Sequence, residues 1–341
     1  MSTQTTASDT QRDHPQNPAS MRAATIDRYG SADVMSVQQI ERPRCGAGEV
    51  LISIRAASVN PYDWHMMTGT PLLMRMESGW SKPKSRRLGL DVAGVIEAVG
   101  TNSTKFAVGD EVFGCAAGSF ADCVSAKDDA LVRKPANISF EEAAAVGVGA
   151  LTAVQGLRDH GRLQPRQHVL INGASGGVGT YAVQLAKHLG AEVTGVCSTR
   201  NVELVGGLGA DHVVDYTASD FTANDAQYDL ILDAIGNRKI SHYKRCLTPT
   251  GSYVVIGGPK GRVFGPVRHM VKALVAFKFG TRRAATFIAQ QNASDLELFR
   301  DLLATGNMRS VIDAVYPLDE IAAALRHLET GHARGKIIIR P

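Results

Sequence analysis

Between residues 173 and 179 the chain reads Gly-Ala-Ser-Gly-Gly-Val-Gly, and four glycines in seven residues between two apolar segments leave few folds open. The segment before it, Gln167-His-Val-Leu-Ile-Asn172, is a short apolar run bounded by Pro165 and Gly173, which suits a buried strand. The segment after it, residues 178–189, carries Val178, Ala182, Val183, Leu185 and Ala186 at helical spacing. Glycines at a strand-to-helix turn let the backbone approach a pyrophosphate, which the positive end of the following helix attracts. Strand, loop, helix and a next strand at 192–197 fit one βαβ length, so dinucleotide binding through Ser175, Gly176, Gly177 and Val178 is expected. The same residues also spell Gly-x-Ser-x-Gly, with Ser175 placed like the nucleophile of a serine hydrolase. That alternative lacks a matched acid and His in the sequence, and the residues upstream read as a separate β domain.

After the loop, apolar runs at 192–197, 212–214, 229–233 and 253–256 alternate with helical or connecting segments. Such alternation predicts a doubly wound parallel sheet over residues 146–288. Upstream, short runs at 21–26, 50–54, 92–99, 111–113 and 120–124, punctuated by Gly, Pro and Asn, predict an antiparallel β domain with helical insertions over residues 21–145. A helix near 294–304 and a strand at 336–339 lie beyond, in a C-terminal segment 289–341. The fold class is therefore α/β, with a β-rich domain beside the doubly wound one. At 341 residues the chain has room for about two domains.

Charge and cysteine content narrow the function classes. Lys and Arg number 37 and Asp and Glu 33, a net +4 that is scattered and argues against a nucleic-acid partner. Five cysteines without a Cys-x-x-Cys pair spell neither a disulfide framework nor a zinc lobe, which suits a reducing compartment. Residues 1–20 are polar, lack an apolar stretch and carry Asp9 and Asp13, so they read as a solvated tail and not as a signal or transit peptide. No apolar run is long enough for an integral membrane span. A cytoplasmic location is expected. The run Lys82-Pro-Lys-Ser-Arg-Arg87 reads as a solvated loop or a cleft rim that attracts anions. Residues 264–279 place Val267, Met270, Val271, Leu274 and Val275 at helical spacing with Arg268, Lys272 and Lys278 between them. This amphipathic segment suits a pocket cover, a subunit contact or a membrane-surface helix.

Cofactor choice is made about 20 residues past the glycines, where NAD-binding proteins place an acid on the ribose 2′-hydroxyl. Here the chain has Ser198, Thr199 and Arg200, whose hydroxyls and guanidinium suit a 2′-phosphate; NADP(H) is the expected cofactor.

The chain resembles the medium-chain dehydrogenase/reductase superfamily, in its zinc-free quinone oxidoreductase-like branch. The motifs are Ala-Ala-Ser-Val-Asn60-Pro-Tyr-Asp63-Trp, Gly89-Leu-Asp91-Val-Ala-Gly-Val, Val108-Gly-Asp-Glu-Val-Phe113, residues 172–179, Cys197-Ser-Thr-Arg-Asn201, Leu208-Gly-Ala-Asp-His-Val-Val-Asp-Tyr216 and Gly331-His-Ala-Arg-Gly-Lys336. The last of these, with Val311-Ile-Asp and Tyr316-Pro-Leu, is similar to the reticulon-4-interacting-protein type of NADPH oxidoreductase. The resemblance implies a GroES-like catalytic domain, an inserted Rossmann domain, a C-terminal return to the catalytic domain, and a cofactor in the cleft between. Zinc-dependent members have Cys where Asn60 stands and Gly-His-Glu where Gly89-Leu90-Asp91 stands, so no metal is expected. The implied reaction is hydride transfer from NADPH to a quinone or an α,β-unsaturated carbonyl. Asn60, Asp63 and His65 are the catalytic candidates: the amide to orient substrate or ribose, Asp63 to hold the loop or touch the ribose, His65 as a proton donor. Family position adds Thr152 near the nicotinamide, Tyr216 on the 2′-phosphate side, and Gly236 and Gly257 where the cofactor passes strand ends. A small-molecule substrate and a homodimer are the implied partners. An NADPH-binding sensor or scaffold with little turnover is the alternative of a different class.

Overall fold

The computed structural model describes residues 19–223, 226–258 and 265–341. Residues 1–18 of the expected tail, and Phe264 at the start of the amphipathic segment, lie outside the described residues. The strands in chain order are β1 (Ser20–Thr25), β2 (Ser36–Glu41), β3 (Glu49–Val59), β4 (Asp91–Val99), β5 (Glu111–Cys115), β6 (Cys123–Lys127) and β7 (Leu131–Arg133). They continue as β8 (His168–Asn172), β9 (Glu192–Cys197), β10 (His212–Asp215), β11 (Tyr228–Asp233), β12 (Leu247–Val255), β13 (Arg283–Thr286), β14 (Ile312–Pro317) and β15 (Lys336–Arg340).

Strands β8 to β13 form one parallel sheet in the order β10-β9-β8-β11-β12-β13. The order reverses between β8 and β11, and a ligand binds at such a switch point beyond the carboxyl ends of the strands. Val169, Leu170 and Ile171 of β8 are all buried, as both faces of this sheet are covered. The second sheet runs β14-β15-β3-β4-β5-β7, with β6 also on β3. It is antiparallel except for β14 on β15. β15 pairs with β3 through Ile337 to Val59 and Ile339 to Ala57, so the last strand of the chain closes a sheet begun near residue 50. The expected fold class, a β-rich domain beside a doubly wound parallel sheet, is therefore met.

The amphipathic segment forms a helix, Gly265–Ala276, as its spacing suggests. His269, Ala273 and Phe277 are buried, whereas Val271, Leu274 and Val275 stand exposed. The rings of Tyr243 and Tyr253 select this face: the Tyr253 ring lies 5.8 Å from that of Phe277, and its hydroxyl is within 2.8 Å of His269 Nε2.

Candidate active site

The glycine loop leaves β8 and enters the helix Gly179–His188. Gly173 has φ +90°, a left-handed conformation that a side chain resists. A Cβ on Gly179 would lie 2.1 Å from the Gly173 carbonyl oxygen, so the absence of a side chain lets the helix start close against the strand end. Among the described residues, the one atom within 4 Å of a Cβ added at Gly176 is the loop's own Gly173 oxygen at 3.4 Å, so that side of Gly176 is open. These are the three requirements of a pyrophosphate cradle: a tight turn, close approach of a ligand and close helix packing. Ser175 Oγ accepts from Asn201 Nδ2 at 2.9 Å, and the Ser175 carbonyl accepts from Gly335 N at 2.8 Å. Ser175 thus ties the loop to its surroundings, and no His–Ser pairing of hydrolase kind occurs among its hydrogen bonds.

Beyond β9, Ser198, Thr199 and Arg200 line the edge of the loop. Thr199 Oγ1 donates to Asp215 Oδ2 at 2.6 Å, and together with Thr217 it holds that carboxyl below its usual range. Arg200 is exposed and its guanidinium donates to the His332 carbonyl. Tyr216, at the end of β10, is partly exposed, and its backbone N–H donates to the Cys197 carbonyl. The other strand ends carry a network that no sequence motif announced. Asn172 and Asp233 are partners in the β8–β11 register at the switch point. Asp233 Oδ1 accepts from Asn172 Nδ2 at 2.8 Å and from the backbone N–H groups of Ile235 and Gly236, while Oδ2 accepts from Tyr253 Oη at 2.6 Å. A buried carboxylate is tolerable when so many donors satisfy it, and it sets the backbone at Gly236. Gly257 packs beside it, where a Cβ would sit 2.0 Å from the Ala234 carbonyl oxygen.

The catalytic candidates gather on the antiparallel sheet. Asn60 caps the helix Pro61–Thr68, whose third residue Asp63 accepts from Asn60 N at 2.8 Å and from Gly89 N at 3.2 Å. Asp63 therefore binds two loops to each other. Burial pushes its carboxyl up to about 7, against the two backbone donors and Lys336, with the charge of Asp91 adding to the rise. Asn60 Nδ2 donates to Asp91 Oδ2 at 2.9 Å, which also accepts from Ser58 Oγ at 2.6 Å. Asp91 Oδ1 accepts from Val148 N at 2.8 Å, at the start of the helix Gly147–Val154. A carboxylate is favoured at that positive helix end. Gly147 makes room for it, since a Cβ there would lie 2.0 Å from Asp91 Oδ1.

Lys336, the first residue of β15, completes the cluster. Its Nζ donates to Asn60 Oδ1 at 2.5 Å and to Asp91 Oδ2 at 3.0 Å, and the residue is only 3% exposed. Its stem passes the glycine loop, where a Cβ on Gly177 would be 3.0 Å from Lys336 Cδ. The glycine loop and the buried polar cluster are thus in contact through one side chain.

His65 and Thr152 stand outside this cluster in their bonding. His65 Nδ1 is 2.5 Å from the Thr70 carbonyl oxygen, which only accepts, so the ring carries its proton there. Burial pushes the His65 imidazole below its usual value and favours this neutral tautomer, which leaves Nε2 as an acceptor. Thr152 Oγ1 donates to the Val148 carbonyl at 2.7 Å, one turn back along its helix. Arg86 of the basic run pairs with Asp27 at 2.6 Å on the exposed surface, away from these bonds. Asp91, Lys336 and Ser58 are the functional candidates that sequence reasoning passed over. For the two charged ones the signal was a single charge beside an apolar strand run, Asp91 before Val92-Ala93 and Lys336 before Ile337-Ile-Ile339; Ser58 carried none. Such a charge demands a partner when the strand is buried.

Comparison with known proteins agrees with this geometry. Residues 46–191 match the family described as "Alcohol dehydrogenase GroES-like domain" and residues 208–339 the family described as "Zinc-binding dehydrogenase". The chain is 33% identical to the mitochondrial NAD(P)H oxidoreductase RTN4IP1 of Bos taurus over 94% of its length and 89% of that protein's. It is 30% identical to the 2-methylene-furan-3-one reductase of Solanum lycopersicum, over 95% of this chain and 80% of that one. The solved quinone oxidoreductase of Coxiella burnetii superposes with a TM-score of 0.83 at 28% identity, covering 94% of this chain and 99% of the other. The chain therefore belongs to the medium-chain dehydrogenase/reductase superfamily, among its quinone oxidoreductase relatives, and is an oxidoreductase.

Proposed function

We propose that this protein reduces a quinone or an α,β-unsaturated carbonyl with NADPH and without zinc. The observation that carries the proposal is the contact of the pyrophosphate cradle at Gly173–Gly179 with the buried polar cluster of Asn60, Asp91 and Lys336. When bound, the reduced nicotinamide supplies a hydride. The cradle and helix end hold the diphosphate, the Asp233 network holds the strand ends, and Asp63 keeps Asn60 and Gly89 in register. NADPH over NADH rests on Ser198 and Arg200, with Asn201 bracing the former through a 3.3 Å bond to its hydroxyl. The names of the bovine and tomato relatives support nicotinamide-dependent reduction of this substrate class.

The description "Zinc-binding dehydrogenase" raises the question of a metal. The residues at the corresponding positions do not suit one. Zinc takes nitrogen, sulfur and carboxylate donors; Asn60 and Asp91 here turn their oxygens onto the Lys336 ammonium, and Leu90 is apolar. A second cation within that cluster would be repelled.

Three further assignments belong to the same proposal. The domains divide at residues 21–145, 146–288 and 289–341, the protein acts in the cytoplasm, and two copies pair as a homodimer. Among the described residues no helix is long and apolar enough to cross a membrane.

The test is the initial rate of NADPH oxidation with an ortho-quinone and with a simple enone, with NADH and a chelator in parallel. Turnover with NADPH that the chelator leaves unchanged is expected. Failure to bind NADPH overturns the proposal, and binding without turnover across the panel favours a sensor.

A further inference from the structure

We propose that Lys336 is a catalytic residue, a fixed cation that stabilises negative charge on the substrate oxygen as hydride arrives; this rests on the reductase reading above. Asn60 Oδ1 and Asp91 Oδ2 are both turned onto the ammonium.

Three observations make this more than a structural ion pair. First, burying a Lys–Asp pair is seldom worth more than an apolar pair of the same volume, and the residue is 3% exposed within the apolar run of β15. Second, an ammonium has three N–H donors. Among the described residues Nζ donates to Asn60 and Asp91, which leaves one N–H for a ligand. Third, the Lys336 stem passes Gly177, where an added Cβ would lie 3.0 Å from its Cδ, so the side chain runs beside the loop proposed to hold the cofactor. His65 offers no comparable donor, because its proton is engaged by Thr70.

In the enone case a C–H bond forms at the β-carbon, the C=C π pair shifts toward the α-carbon, and the carbonyl pair moves onto oxygen, where Lys336 donates its hydrogen bond. NADPH is oxidised by two electrons, the substrate is reduced by two, and a solvent proton added to the α-carbon restores the carbonyl. In the quinone case the same N–H receives the hydroquinone oxyanion, which water then protonates.

The test uses the full chain. In the wild type with NADP+ bound, 4-nitrophenol serves as an oxyanion probe, and its absorbance is followed against pH. Its ionisation should shift at least one pH unit lower than in free solution; an unshifted value, or no phenolate binding, overturns the proposal. Because K336M alone strands the Asp91 carboxylate, the double variant K336M/D91N is compared as well. It should bind NADPH within a few-fold of wild type, lose the phenol shift, and lose roughly 10²–10³-fold in kcat, as when one oxyanion donor is removed. K336R should recover part of both. If the folded double variant turns over within about threefold of wild type, the assignment fails while the reductase reading stands. If the wild type does not bind NADPH, it is the reductase reading that fails.

Discussion

Replacing Gly179 by Ala tests whether the glycine loop works through close packing of helix on strand. A Cβ there would lie 2.1 Å from the Gly173 carbonyl oxygen and 2.7 Å from the Cα and C of Ala174. All three are backbone atoms, so no side chain can swing away. An unstrained carbon–oxygen contact needs about 3.3 Å, so the helix start must retreat by roughly 1.2 Å from the strand end. Overpacking of this kind costs about 1–3 kcal/mol, partly offset by the gain of roughly 0.5–1 kcal/mol that Ala brings to a helix. The same displacement moves the pyrophosphate cradle, and a misplacement of about 1 Å near a reacting centre can cost about 10²-fold. Gly206→Ala is the matched control, in the helix Val202–Gly207, where an added Cβ meets nothing within 4 Å. Urea unfolding with a fluorescence titration of NADPH should show G179A less stable by about 1–2 kcal/mol with weakened NADPH binding, and G206A neutral or slightly stabilised. If G179A matches wild type in both measurements, close helix packing is not what these glycines supply.

Other outcomes follow from the same geometry. Arg200→Ala should reduce the ratio of kcat/KM for NADPH over NADH by about tenfold or more, since a charge-assisted contact to the 2′-phosphate is lost; an unchanged ratio removes Arg200 from cofactor choice. Tyr253→Phe should cost about 1–3 kcal/mol in urea unfolding, because buried Asp233 Oδ2 loses its hydroxyl donor; a neutral effect would mean that water replaces it. Asp63 stands at about 7 in the folded protein, above its usual range, so the folded state binds its proton more tightly than the unfolded chain does. Its contribution to stability is therefore largest below about pH 4 and is lost as pH rises toward 7. Asp63→Asn should flatten that part of the stability–pH curve, and a curve of unchanged slope would refute the assignment.

Elements with strong local patterns were legible in the chain. The strand at 192–197 has the bounds the sequence suggested, and β8, β10, β11, β12 and the helix after the glycine loop differ mainly at their ends. The short strands β13 and β14 went unread, because four to six residues with mixed exposure carry little periodicity. On the helix Gly265–Ala276 the apolar positions Val271, Leu274 and Val275 stay exposed, since the Tyr243 and Tyr253 rings decide what is buried. His65 looked like a donor by position, yet its Nδ1–H already donates to the Thr70 carbonyl oxygen 2.5 Å away.

By itself the sequence determined what local rules govern: a glycine-rich turn between strand and helix, alternation of strand and helix, and hydroxyls with an Arg where an acid would select NAD. These follow from backbone sterics and side-chain chemistry within a few residues. Only the tertiary structure decided the buried cluster of Asn60, Asp91 and Lys336. Asp91 and Lys336 lie 245 residues apart, and they meet because β15 returns to pair with β3 beside β4. No local spacing encodes such a meeting. It arises because a charge in a buried strand must find a partner, and the closing of the sheet determines which one it finds.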